Sequence, residues 1–463
     1  MSNPSRNPFL DGPLPTIFVK TALPIIFVMG MNGLLTVADA LFLGHYVGDT
    51  ALAAVTVVFP LYMLIVAFAT MVASGMASLL ARHLGGKQLD AAQQVFASAH
   101  WLALAAGAVL IALYALFGGP IIALAAGGNQ DLAALAASYL QVLVLFSPLL
   151  FLLSVQSDAL RSEGHVGFMA AASLTVSLSN IGFNYLLIGL SDFGVPGSAY
   201  GTVLAQALAL IIILTYRSRG QTLLRPASVL LHVTTSGWGK MLALGAPQGL
   251  NFVGIALVSS AILLALQLAS TPHYAATVTA YGIVTRVLTF AILPVLGLSQ
   301  AMQTVTGNNY GAGLWRRTNA SLLLALGIAL LFCMAVQAAS TIFAGTIGAA
   351  FVSDPQVVTE VVAIMPAIVT LYFLSGPHIM LAAHFQAIGD APRAAILGLS
   401  KPYLFMLPLI FALPHFFNAQ AIWWATPAAE AMLAVVAMLV LWQRARRHTL
   451  RRGLFTGPGQ GDA

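Results

Sequence analysis

The sequence predicts an all-α integral membrane protein with twelve transmembrane helices in two parallel six-helix lobes. Three observations predict it. Of 463 residues, 59% are hydrophobic and only 7% charged, against about one-quarter charged in an ordinary soluble domain. Too few charges are present to cover a water-soluble surface of this size. Second, lysine and arginine occupy alternate loops. Third, the two halves of the chain repeat one another.

A membrane span needs about 20 mostly apolar residues. Read along the chain, the spans are 16–44, 51–81, 91–117, 132–158, 167–190, 195–216, 239–267, 276–307, 318–344, 357–386, 392–414 and 420–443. Polar segments such as "RHLGGKQLD", "RSEGHVG" and "GNNYGAGLWRR" separate them. Arg6 precedes the first span. Arg82 and Lys87 follow the second, Arg161 the fourth, and Arg217, Arg219 and Arg225 the sixth. Arg316 and Arg317 follow the eighth, Arg393 the tenth, and an arginine-rich tail the twelfth. The intervening loops carry neither Lys nor Arg. Positive charge stays inside, so both termini are expected in the cytoplasm. A miscounted helix would scramble this alternation.

The repeat sets "AGGNQDLAALAASYL" (126–140) over "FVSDPQVVTEVVAIM" (351–365). At the same offset "LRSEGHVGFMAAAS" (160–173) lies over "FQAIGDAPRAAILG" (385–398), matching Gly164 to Gly389. Nearly the same offset matches Gly85 to Gly311. Six spans per half return each half to the side where it began. The repeats are therefore expected to be parallel, related by a pseudo-two-fold axis along the membrane normal. The expected parts are an N-lobe (1–216), a cytoplasmic linker (217–238), a C-lobe (239–443) and a basic tail (444–463).

Several function classes are excluded. Cys333 is the single cysteine, so there is neither a disulfide framework nor a zinc ligand set. The net charge of +6 reflects topology rather than a nucleic-acid surface, which would pair a basic patch with stacking aromatics. The tail "RARRHTLRR" suits anionic lipid headgroups. An enzyme would need a clustered acid/base or metal set, which the scattered histidines and loop acids do not offer. The N-terminus lacks a cleavable signal pattern. A monomer without a cofactor is expected.

The ordered elements "VADALFLGHYVGDTALAA", "ARHLGGKQLDAA", "ALRSEGHVGFMAAASL", "NIGFNYLLIG", "GVPGSAYGTVLAQ", "LPVLGLSQAMQTVTGNNYGAG" and "HFQAIGDAPRAA" resemble the multidrug and toxic compound extrusion (MATE) family, and within it the DinF-like branch. The resemblance covers nearly the whole chain. It implies the MATE fold. It also implies a bacterial inner-membrane transporter exporting organic, often cationic, compounds by antiport with protons or sodium. A flippase of a lipid-linked precursor and a non-transport membrane protein stand as alternatives.

Asp39 lies inside an otherwise apolar stretch of the first span. A charged side chain at the bilayer centre costs about 2.5–3.5 kcal/mol on insertion scales, and burial favours the neutral form of a carboxyl group. That property suits a proton carrier, though an aspartate that only fixes helix packing is the bland alternative. The resemblance places the coupling carboxylate here. Companions are Asn32 in the first span, Asn180 and Asn184 one turn apart in the fifth, and Thr202 in the sixth. Relatives often read Asn-x-x-x-Asp-Pro in the fifth span, whereas this chain reads "NIGFNY". Asn184 thus stands where a second carboxylate would be. A hard cation prefers anionic oxygens, so proton coupling is favoured over sodium.

In the second half, span 7 lacks the glutamate of the NorM-typified branch. Glu430 is the mid-span acid there, with Arg286 as its expected counter-charge, either in a structural contact or, with His384, in a substrate-binding or secondary coupling role. His378 and His384 are titratable or merely packed. Lys20 and Lys401 are expected to snorkel to a span end. Asp158 and Glu163 are expected to pair locally with Arg161.

Overall fold

The computed structural model describes residues 7–227, 229, 233–268 and 273–448. Arg6 and the tail beyond residue 448 lie outside the described residues, as do parts of the linker and of the segment after span 7. In hydrocarbon every backbone polar group must be satisfied within the chain, which leaves the helix as the unit of construction for apolar runs. The helices are α1 (Leu14–Tyr46), α2 (Asp49–Gly85), α3 (Leu89–Ala125), α4 (Gln130–Leu145), α5 (Ser147–Glu163), α6 (Val166–Asn184) and α7 (Gly194–Ser218). Then follow α8 (Trp238–Leu268), α9 (Tyr274–Gly311), α10 (Trp315–Ile342), α11 (Ala344–Phe351), α12 (Pro355–Val369), α13 (Tyr372–Ile388), α14 (Ala391–Leu399), α15 (Leu407–Phe416) and α16 (Ala425–His448).

Ten helical stretches among the described residues are long and apolar enough to cross a membrane. Two bent pairs, α4 with α5 at 48° and α12 with α13 at 44°, bring the number to twelve if each is one span. These pairs coincide with the fourth and tenth expected spans. Pro148, at the start of α5, lacks the N–H that would continue the ladder at the first bend. At the second bend Leu371 adopts φ 66°, a left-handed conformation that ends one helix and starts the next. Of two π-wound turns, Tyr185–Leu190 ends the fifth span and Ser400–Met406 interrupts the eleventh.

The helices overrun their apolar windows. α3 continues to Ala125 through "GGPIIALA", which the sequence reading gave to a loop. Pro120 removes one backbone donor and crowds the carbonyl one turn earlier, yet the flanking apolar residues keep the chain helical in lipid. The surface is that of a membrane protein: Leu116 and Leu331 are 70% and 68% exposed. Polar Gln156, Asn184, His378 and Glu430 are buried.

By contacts the described chain forms two compact units. The first holds Met1–Gly12 and Leu23–Phe252; the second holds Pro13–Ala22 and Val253–Ala463. Within the first unit, α2 and the beginning of α8 approach through glycines. A β-carbon at Gly245 would lie 1.7 Å from the carbonyl oxygen of Met71, and one at Gly75 would lie 1.9 Å from that of Met241. The linker is fastened to α3 in the same unit, where Trp101 Nε1 donates to the Val229 carbonyl at 3.1 Å and Ser98 Oγ to that of Ser236 at 2.8 Å. The core of the second unit is built on Val361, Ile364, Phe385, Ile410 and Ala429.

The sequence repeat reappears as matched helix ends. Asn129 caps α4 by accepting from Leu132 N, and Asp354 caps α12 by accepting from Gln356 N. Gly164 (φ 93°) and Gly389 (φ 90°) close α5 and α13. In each case the next residue donates back to a carbonyl of the last turn, His165 to Leu160 and Asp390 to Phe385.

The glycine crossing gives a stability prediction. Gly245→Ala forces two backbones apart and should cost about 1–3 kcal/mol, read as a fall in thermal midpoint in detergent. Gly30→Ala, whose new methyl meets nothing within 4 Å, should instead be neutral or stabilising by up to about 1 kcal/mol.

Candidate functional site

Asp39 is half-buried on α1. Asn184 Nδ2 donates to its Oδ1 at 2.6 Å. Asn180, one turn earlier on α6, satisfies both its amide atoms when Nδ2 donates to the same Oδ1 at 2.9 Å and Oδ1 accepts from Thr202 Oγ1 at 3.0 Å. The structure thus brings Asp39, Asn180, Asn184 and Thr202 together, from α1, α6 and α7. Asn180 and Asn184 are fully buried. Asn32 is exposed on α1, two turns from Asp39.

Two features explain how the amides reach the carboxylate. α6 ends at Asn184 and becomes π-wound immediately after it, a local rewinding often found at functional sites. On α7, Gly201 makes room: a β-carbon there would lie 2.2 Å from Asn184 Oδ1. That oxygen is buried and has no hydrogen-bond partner. All described bonds to Asp39 fall on Oδ1 and come from neutral donors; among the described residues no cation pairs with it. Tyr62 on α2 and Tyr139 on α4 lie within electrostatic reach of the carboxylate. Sequence reasoning missed both, because a tyrosine in a membrane helix carries no signal that sets it apart.

In the second unit the expected pairing is corrected. Glu430, 1% exposed on α16, does not pair with Arg286, which is exposed on α9. A carboxylate so buried is reached only from the elements packed on it. His378 Nδ1 lies 2.8 Å from Glu430 Oε2, and Ser375 Oγ and Lys401 Nζ both bond to Oε1. Lys401 therefore does not snorkel. Of the two histidines, His378 reaches the acid. His384 is fully buried against Phe385, with neither ring nitrogen hydrogen-bonded.

At the end of α5, Asp158 pairs with Arg161 at 3.0 Å, but Glu163 turns to Arg217. Arg217 Nη1 is 2.6 Å from Glu163 Oε2, both side chains are fully buried, and Glu163 Oε1 accepts from Leu224 N at 2.8 Å. Nearby, burial lowers His165 below the ordinary imidazole range, Glu163 opposing and Arg217 adding to the effect. This network ties α5, α7 and the linker together.

Gly201→Ala should displace Asn184 and cost about 1–3 kcal/mol. Combined with Asn184→Ala it should cost less than the sum of the two changes, a non-additivity measurable by a double-mutant cycle on thermal stability.

Comparison with known proteins adds the family. The MatE family profile matches residues 24–186 and 252–412. A FAD transporter of Shewanella oneidensis is 26% identical over 440 residues, covering 93% of this chain and 95% of its own. The multidrug export protein MepA of Staphylococcus haemolyticus is 23% identical, covering 93% of both chains. Among solved structures, the MATE multidrug transporter DinF-BH in complex with R6G superposes with a TM-score of 0.84 at 26% identity, over 94% of this chain and 97% of that one. A MATE structure in complex with MaL6 also gives 0.84, at 22% identity over 96% and 98%. With twelve expected spans, an all-helical membrane fold and a family profile spread over both halves, this chain belongs to the MatE family of multi-pass membrane transporters.

Proposed function

We propose that the protein is a secondary active efflux transporter of the bacterial inner membrane that exports organic, cationic amphiphilic compounds in exchange for protons. The observation that carries this reading is a carboxylate within a membrane helix whose described partners are all neutral amides. Such a group has hydrogen-bond donors around it but no fixed cation to hold it ionised. It can therefore gain and lose a proton without breaking an ion pair. With both amides on Oδ1, Oδ2 is the oxygen left to take the proton. Asn184 Oδ1 is buried and has no donor. Protonation from outside would then rearrange the first unit and release substrate, and deprotonation towards the cytoplasm would reset it. The proton is favoured over sodium because one carboxylate and two neutral amides are a poor set for a hard cation.

The loop charges support cytoplasmic termini. Relatives named multidrug export proteins support organic drugs as substrates. The relative named a FAD transporter supports a second reading, export of a large anionic dinucleotide. The lipid-precursor flippase is not favoured.

Inverted vesicles with imposed pH or sodium gradients, offered rhodamine-type cations and FAD in parallel, test these readings. Asp39→Asn should reduce proton-driven export to the level of empty vesicles while leaving thermal stability near that of the parent. Normal export by this variant would remove the proposal. Asn184→Asp supplies a second anionic oxygen pair and should make export respond to sodium; indifference to sodium in that variant would refute the ligand-charge argument.

A further inference from the structure

The second unit contains a buried charged cluster that the mechanism above leaves unused. Its position is deep. Lys401 lies ten residues beyond the start of α14 at Ala391, roughly 15 Å along a helix and so near the middle of a hydrocarbon core about 30 Å thick. Lysine at that depth is costly and marks a functional site unless it has a partner. Glu430 is that partner, and it is itself 1% exposed, whereas the Lys401 side chain is 28% exposed. Lys401 is thus the more exposed member of the pair.

The construction is specific. Gly376 lets α13 close on α10: a β-carbon there would lie 2.8 Å from both the Ala329 carbonyl oxygen and Cys333 Sγ. Gly254 on α8 likewise admits Pro402, next to Lys401, at 2.8 Å. Lys401 sits on the π-wound turn of the eleventh span, as Asn184 sits at the start of the one in the fifth. His378 faces Glu430 from α16, which Lys401 from the π-wound turn also bonds, and Cys333 on α10 lies within electrostatic reach of Glu430 and Lys401. Tyr372, on α13 itself, lies within electrostatic reach of Cys333 and Glu430, and its buried hydroxyl has no partner. Arg393 on α14 is paired with Asp390 beyond the other end of α13. Arg444 on α16 lies by Phe385 and His384, and Arg286 on α9 is exposed.

We propose that His378, Glu430 and Lys401 form a second proton-exchange site, separate from Asp39, in which His378 carries the proton. With Lys401 on one carboxylate oxygen, Glu430 is an ionised acceptor, so His378 Nδ1 bears the ring hydrogen and Nε2 is the free base. An incoming proton binds Nε2 and leaves from it, and no other bond changes. Lys401 remains an ammonium throughout. The unprotonated cluster is neutral and the protonated one carries a single positive charge, held against the Glu430 carboxylate. A cation brought up to the cluster meets no net charge in the first state and repulsion in the second. The inference goes beyond the antiport reading and rests on it only for the use made of the proton.

The test counts protons bound by the purified full-length protein when a weakly buffered solution is taken from mildly alkaline to mildly acidic pH. In an Asp39→Asn background, His378→Gln should remove one further proton, and Glu430→Gln should remove the same one. Equal counts with and without His378 would overturn the proposal. If either variant is poorly folded, the ring resonances of isotope-labelled histidine in otherwise unaltered protein serve instead. The His378 signal should move on acidification, and a signal fixed across the range would equally end the proposal. Failure of the unaltered protein to export in vesicles would bear on the antiport reading alone and leave this count unaffected.

Discussion

A carboxylate within a membrane helix is costly to leave unsatisfied, so its neighbours must supply donors or charge. Asp39 meets this constraint with two amide donors converging on one oxygen. Much of the first unit's local detail follows. α6 supplies both amides on one face. Its ladder rewinds just beyond Asn184. α7 carries glycine rather than a larger residue where Asn184 presses against it. Each feature alone is a small irregularity; together they deliver two side chains to one acid.

Glu430 meets the same constraint by another route. It is paired with a lysine and a histidine and additionally bonded by a serine, and it is almost fully buried. A buried ion pair recovers its desolvation cost only when further hydrogen bonds complete it. The two units thus hold a carboxylate by different means, neutral donors in one and opposite charge in the other. The first arrangement leaves the acid itself free to change state, while the second fixes the acid and leaves the imidazole to do so.

Most of the fold was legible in the sequence. The spans follow from apolar length, and matched turn residues marked the repeat: Asn129 with Asp354 and Gly164 with Gly389 cap helices in the same way in both halves. Helix ends were less legible, because "GGPIIALA" reads as a loop in water yet stays helical in α3. The grouping of Asp39, Asn180, Asn184 and Thr202 was readable from helical spacing and family resemblance together. The partners of Glu430 were not. Arg286, Lys401 and His378 are all plausible counter-charges on a list, and only packing decides which of them reaches a buried acid. Tyr62 and Tyr139 were invisible for a similar reason.

The two bent spans, alike in angle, are unequal in elastic terms. Phe146, at the first bend, keeps an ordinary backbone (φ −96°, ψ 10°). Leu371, at the second, is left-handed without being glycine, at a cost of roughly 1–2 kcal/mol. Straightening the fourth span would relieve nothing at its joint, whereas straightening the tenth would let one residue relax. The joint of the tenth span therefore carries a small preload that the joint of the fourth lacks, and the two bends differ in their mechanics.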